Sequence, residues 1–184
     1  WTCSSDSDEN GNEPDFNLRL YLYLMTGVDL TQIDGINALT AQILLSEIGL
    51  DMSKWPTVKH FTSWLHLCPY NDVSGGKVLK RGTQKTQNRA TYALRMAATS
   101  LSRSNSALGA FYRRMRAKFG PVKANTATAH KLARIIYFML KRREEYVDPG
   151  ESYYQEKYRE RVVRNLGRKA KALGFQLVPI PSEA

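Results

Sequence analysis

Cysteine is scarce in this sequence of 184 residues, which has only Cys3 and Cys68. The two form no CxxC pair, and isolated cysteines in a chain this long favour a reducing cytoplasm over a disulfide framework. The three histidines, His60, His66 and His130, lack the spacing of zinc ligands. His66-Leu67-Cys68 comes nearest, but without a second ligand pair it reads as a half-buried helix end, so no metal site is expected. No apolar run approaches the roughly 20 residues that a membrane-spanning helix needs, and no signal peptide is expected. No methionine precedes Met25, so the chain reads as a fragment of something longer. There is no internal repeat. The most informative absence is acid: from Val73 to Arg143 there is no Asp or Glu, against 17 Lys plus Arg.

That block concentrates the charge of the whole chain. Of 27 basic and 17 acidic residues in total, only 10 basic ones fall outside it, so the block carries +17 and the rest −7. A charge run is usually a solvated face, but acids normally intersperse; their absence over 71 positions points to a partner rich in phosphate. Neutralising several phosphates gives salt-dependent, sequence-blind affinity that does not by itself separate DNA from RNA. A chain of this length, 42% hydrophobic, buries one sizeable core.

The pattern predicts a mainly α-helical fold. Residues 1–15 hold five acids and no base and read as a solvated tail or linker. A linker helix is expected within 16–28. Residues 29–49 read as a short helix, a tight turn and a longer helix stopped by Gly49, which resembles a helix-hairpin-helix. Such a turn offers backbone N–H groups to a phosphate, here through Gly35 and Asn37, the latter standing where a second glycine is usual and able to take a left-handed conformation. The competing reading is an ordinary helical hairpin of the core. Val58, Phe61, Trp64 and Leu65 share a helical face ended by Pro69, and residues 69–82 then form a small β-hairpin or a loop. Three basic helices are expected within 83–144, from Thr83, from Ser106 and from about Ala124, with Leu94, Leu101, Leu108, Leu132 and Ile136 on inward stripes. A mixed-charge helix follows over 151–173.

Within the serine loop, Ser74 precedes Gly75-Gly76-Lys77. A serine hydroxyl is a poor nucleophile until a base takes its proton and cations stabilise charge at the reacting phosphate. Lys77, Lys80 and Arg81 suit the second role and Asp72 the first. Equally, serine before two glycines is a common turn residue, and local chemistry alone favours that reading.

The ordered set Gln32-Ile33-Asp34-Gly35-Ile36, Ser46-Glu47-Ile48-Gly49, Phe61-Thr62-Ser63-Trp64-Leu65, Val73-Ser74-Gly75-Gly76-Lys77, Asn88-Arg89-Ala90 and Leu94-Arg95-Met96-Ala97-Ala98 resembles the C-terminal transposase domain of the insertion-sequence 110 family. The resemblance runs over about residues 24–178, giving a C-terminal transposase domain at 29–180. It implies an RNA-guided DNA recombinase that binds DNA at element ends and target, binds a guide (bridge) RNA, and uses a serine forming a transient covalent bond to DNA. By position that serine is Ser74, with Gly75 and Gly76 leaving room for the DNA backbone. Lys77, Lys80, Arg81, Lys85 and Arg89 are then phosphate contacts, and the Gly35–Asn37 turn grips a second phosphate. Magnesium would belong to a separate N-terminal RNase H-like domain, with no cofactor bound by this chain. A cytoplasmic homo-oligomer without membrane contact is expected, in which the isolated chain binds nucleic acid without cutting it. The alternative is a non-catalytic basic nucleic-acid-binding module, the remnant of a broken element.

Overall fold

The computed structural model describes residues 16–83 and 85–180, apart from the side chains of Asp72, Lys80 and Arg81. The acidic tail expected at 1–15 lies outside them. The described chain is mainly α: α1 (Leu18–Thr26), α2 (Ala38–Ile48), α3 (Val58–Trp64), α4 (Arg89–Ser100), α5 (Ala107–Phe119), α6 (Pro121–Arg142) and α7 (Gly150–Ala172), with 3-10 turns at Leu30–Gln32, Met52–Lys54 and Leu101–Arg103. A two-stranded antiparallel sheet, β1 (Tyr70–Ser74) and β2 (Lys77–Gly82), stands between α3 and α4.

Short polar side chains fix where several helices begin. Asn17, Asn37, Asn88 and Ser106 each accept a backbone N–H from the first turn of α1, α2, α4 and α5, a device that contributes about 1 kcal/mol per helix. Two expectations are corrected by these caps. Asn37 is not left-handed: at φ −91° and ψ 174° it is extended, because its side-chain oxygen accepts from Thr40 N. The first basic helix starts at Arg89 rather than Thr83, because Asn88 accepts from Ala90 N and Thr91 N, so Lys85 lies on an irregular approach to the helix. At the start of α6, Pro121 occupies the first turn, where its missing N–H removes nothing from the helix ladder.

The core forms around α6, which packs on α3, α4 and α5, while α2 lies against the far side of α4. Most positions of the inward stripes are buried as expected: Leu94, Ala97 and Leu101, then Leu108, then Leu132, Ala133 and Ile136; the exposed exception is Phe119, at the end of the helical stripe that runs from Leu108, which is 48% exposed. Each large aliphatic side chain removed from water in this way contributes about 1.5–3 kcal/mol. Phe61 is wholly buried, its ring edge-on to Trp55 at 5.1 Å and tilted on Tyr137 at 5.6 Å. The Tyr137 hydroxyl donates to the Trp55 carbonyl at 3.0 Å, and Lys141 Nζ to the Pro56 carbonyl at 2.9 Å. These two bonds pin the segment before α3 onto α6. By contrast, α7 buries no residue fully and packs mainly on α5.

Candidate nucleic-acid interface

The hairpin that carries Ser74 is held at its foot. At the end of α3, Leu67 N donates to the Thr62 carbonyl and His66 N to the Ser63 carbonyl, with His66 left-handed at φ 52°. These two hydrogen bonds close the helix and redirect the chain. Thr91 Oγ1 on α4 donates to the Leu65 carbonyl at 2.7 Å, tying that turn to the core. On the returning leg, Asn88 N donates to Thr86 Oγ1 at 3.1 Å just before α4 begins. Between these anchors β1 and β2 pack extensively only on each other.

Pairing runs Tyr70 with Gly82, Asn71 with Arg81 and Asp72 with Lys80, then Val73 with Val78 and Ser74 with Lys77. Leu79 is therefore the extra residue of a bulge, which bends a ribbon and increases its twist. Gly75 and Gly76, at φ 57° and 76°, make the two-residue turn. Both central residues of a type I′ turn need positive φ, so the Gly-Gly pair follows from the turn alone. No heavy atom lies within 4 Å of a Cβ built at either glycine, so the space beside the turn is open. Tyr70, Val73, Val78 and Leu79 are exposed, Leu79 to 68%. A two-stranded ribbon is marginal by itself in water, and one that exposes this much apolar surface is suited to completion by a partner.

Ser74 ends β1 at the tip, exposed and opposite Lys77. No described side chain hydrogen-bonds its hydroxyl. Asp72, the base suggested by the sequence, and Lys80 and Arg81, two of the suggested clamp cations, have side chains outside the described set. Lys85 is exposed on the approach to α4. Arg89 is also exposed, with Nε 3.8 Å from Glu47 Oε1 on α2; an exposed pair that long contributes little and releases its cation readily. The Gly35 turn is elsewhere. A Cβ at Gly35 would meet Ser100 Oγ at 2.7 Å and the Ala97 carbonyl at 2.8 Å, so this side of the turn is pressed onto α4. Packing accounts for Gly35 and capping for Asn37, as an ordinary helical hairpin requires.

The basic block divides into two populations that sequence reasoning did not separate. Arg113 donates to the Ser104 carbonyl at 2.6 Å and pairs with Glu151 at 2.7 Å, and its guanidinium holds the Glu151 carboxyl below the usual range. Arg114 stacks on Tyr154 and Tyr158, and Lys141 binds carbonyls before α3. These three cations hold helices together. Lys77, Lys85, Arg116, Lys118, Lys123 and Arg134 are exposed and pair with no described carboxylate. No local signal distinguishes the two populations, because the partners of the first lie up to 86 residues away. Among the described residues no three His, Cys, Asp or Glu side chains gather as a metal site, and no helix is long and apolar enough to cross a membrane.

An α-helical domain that projects an exposed serine hairpin at the head of a long cationic stretch of chain has the form of a nucleic-acid-handling domain. Residues 29–113 match the model of the transposase IS116/IS110/IS902 family, which supports a transposase domain of that kind over this stretch. The match runs from the turn before α2 to Arg113 in α5 and includes the whole hairpin. It stops before α6, whose Leu132 and Ile136 fill the core of the matched part, so the folded unit extends beyond the matched residues. No curated protein matches the chain.

Proposed function

We propose that this chain is the strand-exchanging half of an insertion-sequence recombinase, with Ser74 as the nucleophile toward DNA and a guide RNA selecting the sites. The observation that carries the reading is the presentation of Ser74. In a transposase-family domain, a serine stands at the tip of a protruding hairpin, beside Lys77 and a turn with free space around it. In the step proposed, Ser74 Oγ attacks a DNA phosphorus and its proton passes to a base. The bond to one deoxyribose oxygen breaks, and that oxygen leaves as a hydroxyl. Attack on the serine ester by the hydroxyl of another strand reverses the chemistry and restores Ser74. Lys77 neutralises charge on the phosphoryl oxygens. A metal that assisted this chemistry would take its ligands from another domain, as the family resemblance implies, and no step here runs through one.

The test is a protein–DNA adduct that survives denaturation, sought with the complete transposase. Ser74→Ala is expected to abolish the adduct and recombination while changing DNA affinity by less than about twofold, since one neutral hydroxyl adds nothing to phosphate neutralisation. An adduct of wild-type yield in Ser74→Ala would overturn the assignment. One observation favours the non-catalytic reading: the turn explains Gly75 and Gly76 without any ligand. Under that reading the wild-type protein binds DNA and never yields an adduct.

A further inference from the structure

At the foot of the hairpin, between its two legs and the face of α6, lies an open groove of about 1060 Å³. That is just above the range of about 300–1,000 Å³ typical of small-molecule sites, with room for a base, its sugar and flanking phosphates. Its lining contains no carboxylate. Two kinds of side chain meet there. Phe111, Ile135 and Phe138 are half-buried and line the groove, Ile135 and Phe138 packed against the core and Phe111 edge-on to Tyr154. Lys123, Lys131 and Arg134 supply positive charge along α6. Lys131 Nζ lies 4.6 Å from the centre of the Phe111 ring. Burial, opposed by the charge of Asp148 and reinforced by that of Arg134, holds its ammonium below the ordinary range.

We propose that this groove seats an unstacked nucleotide of single-stranded DNA, its base against Phe111, Ile135 and Phe138 and its phosphates on Lys123, Lys131 and Arg134. An apolar, aromatic floor beneath a cationic rim is what a single strand requires, because its base faces are free to stack and its backbone carries the charge. A duplex hides those faces inside its own stack and is too wide to enter the groove and reach these cations. The occupant follows also from position. Asn71 lines the groove and Ser74 lies three residues further along the same strand, roughly 10 Å at about 3.3 Å per residue. A strand whose scissile phosphate lay at Ser74 would thus lead a neighbouring nucleotide into the groove. The proposal rests on the reading of the hairpin as a DNA-strand site.

The test uses the whole chain and one sequence in three forms: single-stranded DNA, duplex DNA and single-stranded RNA. Affinity is read by anisotropy, and base stacking by the fluorescence of 2-aminopurine within the strand. Arg134→Glu, on an exposed side chain that folding does not need, is expected to weaken single-stranded DNA about tenfold, the scale of one such contact, and duplex by no more than about twofold. Phe138→Leu keeps the apolar volume and should relieve the 2-aminopurine quenching that the wild type shows. Equal losses for single strand and duplex, or an unquenched wild-type complex, would reduce the groove to a plain cationic patch and overturn the proposal. A loss confined to RNA would assign the groove to the guide and overturn it equally. Ser74→Ala should bind the single strand like the wild type. Groove discrimination without any Ser74 adduct therefore sinks the nucleophile alone, while an adduct that forms with Arg134→Glu and Phe138→Leu both binding normally sinks the groove alone.

Discussion

Glycine and leucine serve opposite purposes in the helical core and in the hairpin. A Cβ added at Gly109 would sit 2.2 Å from the Ser104 carbonyl oxygen, and one at Gly35 2.7 Å from Ser100 Oγ, whereas around Gly75 and Gly76 nothing lies within 4 Å. Core glycines let backbones touch; hairpin glycines turn the chain and leave the space empty. Likewise Leu94, Leu101 and Leu132 are fully buried, yet Leu79 is 68% exposed. Folding free energy is thus invested in α2 to α6, while the hairpin between them rests at its foot on the bond from Thr91 to the Leu65 carbonyl and leads directly into the capped start of α4. A segment that contributes so little to its own fold, yet is fixed at both ends to a rigid frame, is placed for contact with something outside the chain.

The sharpest way to break this comparison is to truncate one apolar residue on each side of it. Phe61→Ala is expected to cost about 3–5 kcal/mol in denaturant unfolding, whereas Leu79→Ala should stay within about 0.5 kcal/mol. A Leu79→Ala loss above that range would mean that the hairpin packs onto the core in solution. The glycines give a smaller contrast. Gly109→Ala forces the start of α5 away from the Leu101–Ser104 turn and should cost about 1–3 kcal/mol. Gly75→Ala meets no atom, and its penalty of about 1–2 kcal/mol comes from the left-handed backbone alone. Gly75→Asn, which tolerates that conformation, should recover most of it, and no asparagine rescue is expected at Gly109. Thermal melting of these variants decides, and recovery at Gly109 would undo the distinction.

Much of the frame was legible because helical periodicity and capping are local. The stripes through Leu94, Leu101, Leu108, Leu132 and Ile136 reached the core as read, and the Gly-Gly pair between Ser74 and Lys77 was a usable turn signal. What failed was decided by partners that the local pattern does not name. Asn37 was able to take a left-handed conformation, and its cap on Thr40 settled it otherwise. Arg113, Arg114 and Lys141 looked like the rest of the basic block, and only the approach of Ser104, Tyr154 and Pro56 shows them binding helices together. The groove arises from hairpin legs and helices far apart in the chain, from Leu67 to Phe138, which no sequence window spans. One trace of it was present: Ala127, Lys131, Arg134 and Phe138 recur at helical spacing on α6, a second face beside the core stripe.

The smallest expected effect reads the groove floor from the side of stability. His130 is half-buried there, and burial first, then the charge of Arg134, hold its pKa below the ordinary value of 6.5. In the folded protein the imidazole therefore resists protonation, while in the unfolded chain it takes a proton as pH falls through about 6.5. Proton uptake then favours unfolding: stability from this group is complete above the ordinary value and is lost as pH falls from there toward the folded pKa, below which the loss levels off. Other groups titrate too, so the measurement is the difference between wild type and His130→Gln in denaturant unfolding at a series of pH values. The difference should slope in that sense below about pH 6.5 and be flat above about pH 7. A difference flat throughout would place His130 in bulk water, and the floor of the groove would then be as open as the hairpin tip. A slope of opposite sign would require an anionic partner for His130, and none of the groups that shift its pKa is one.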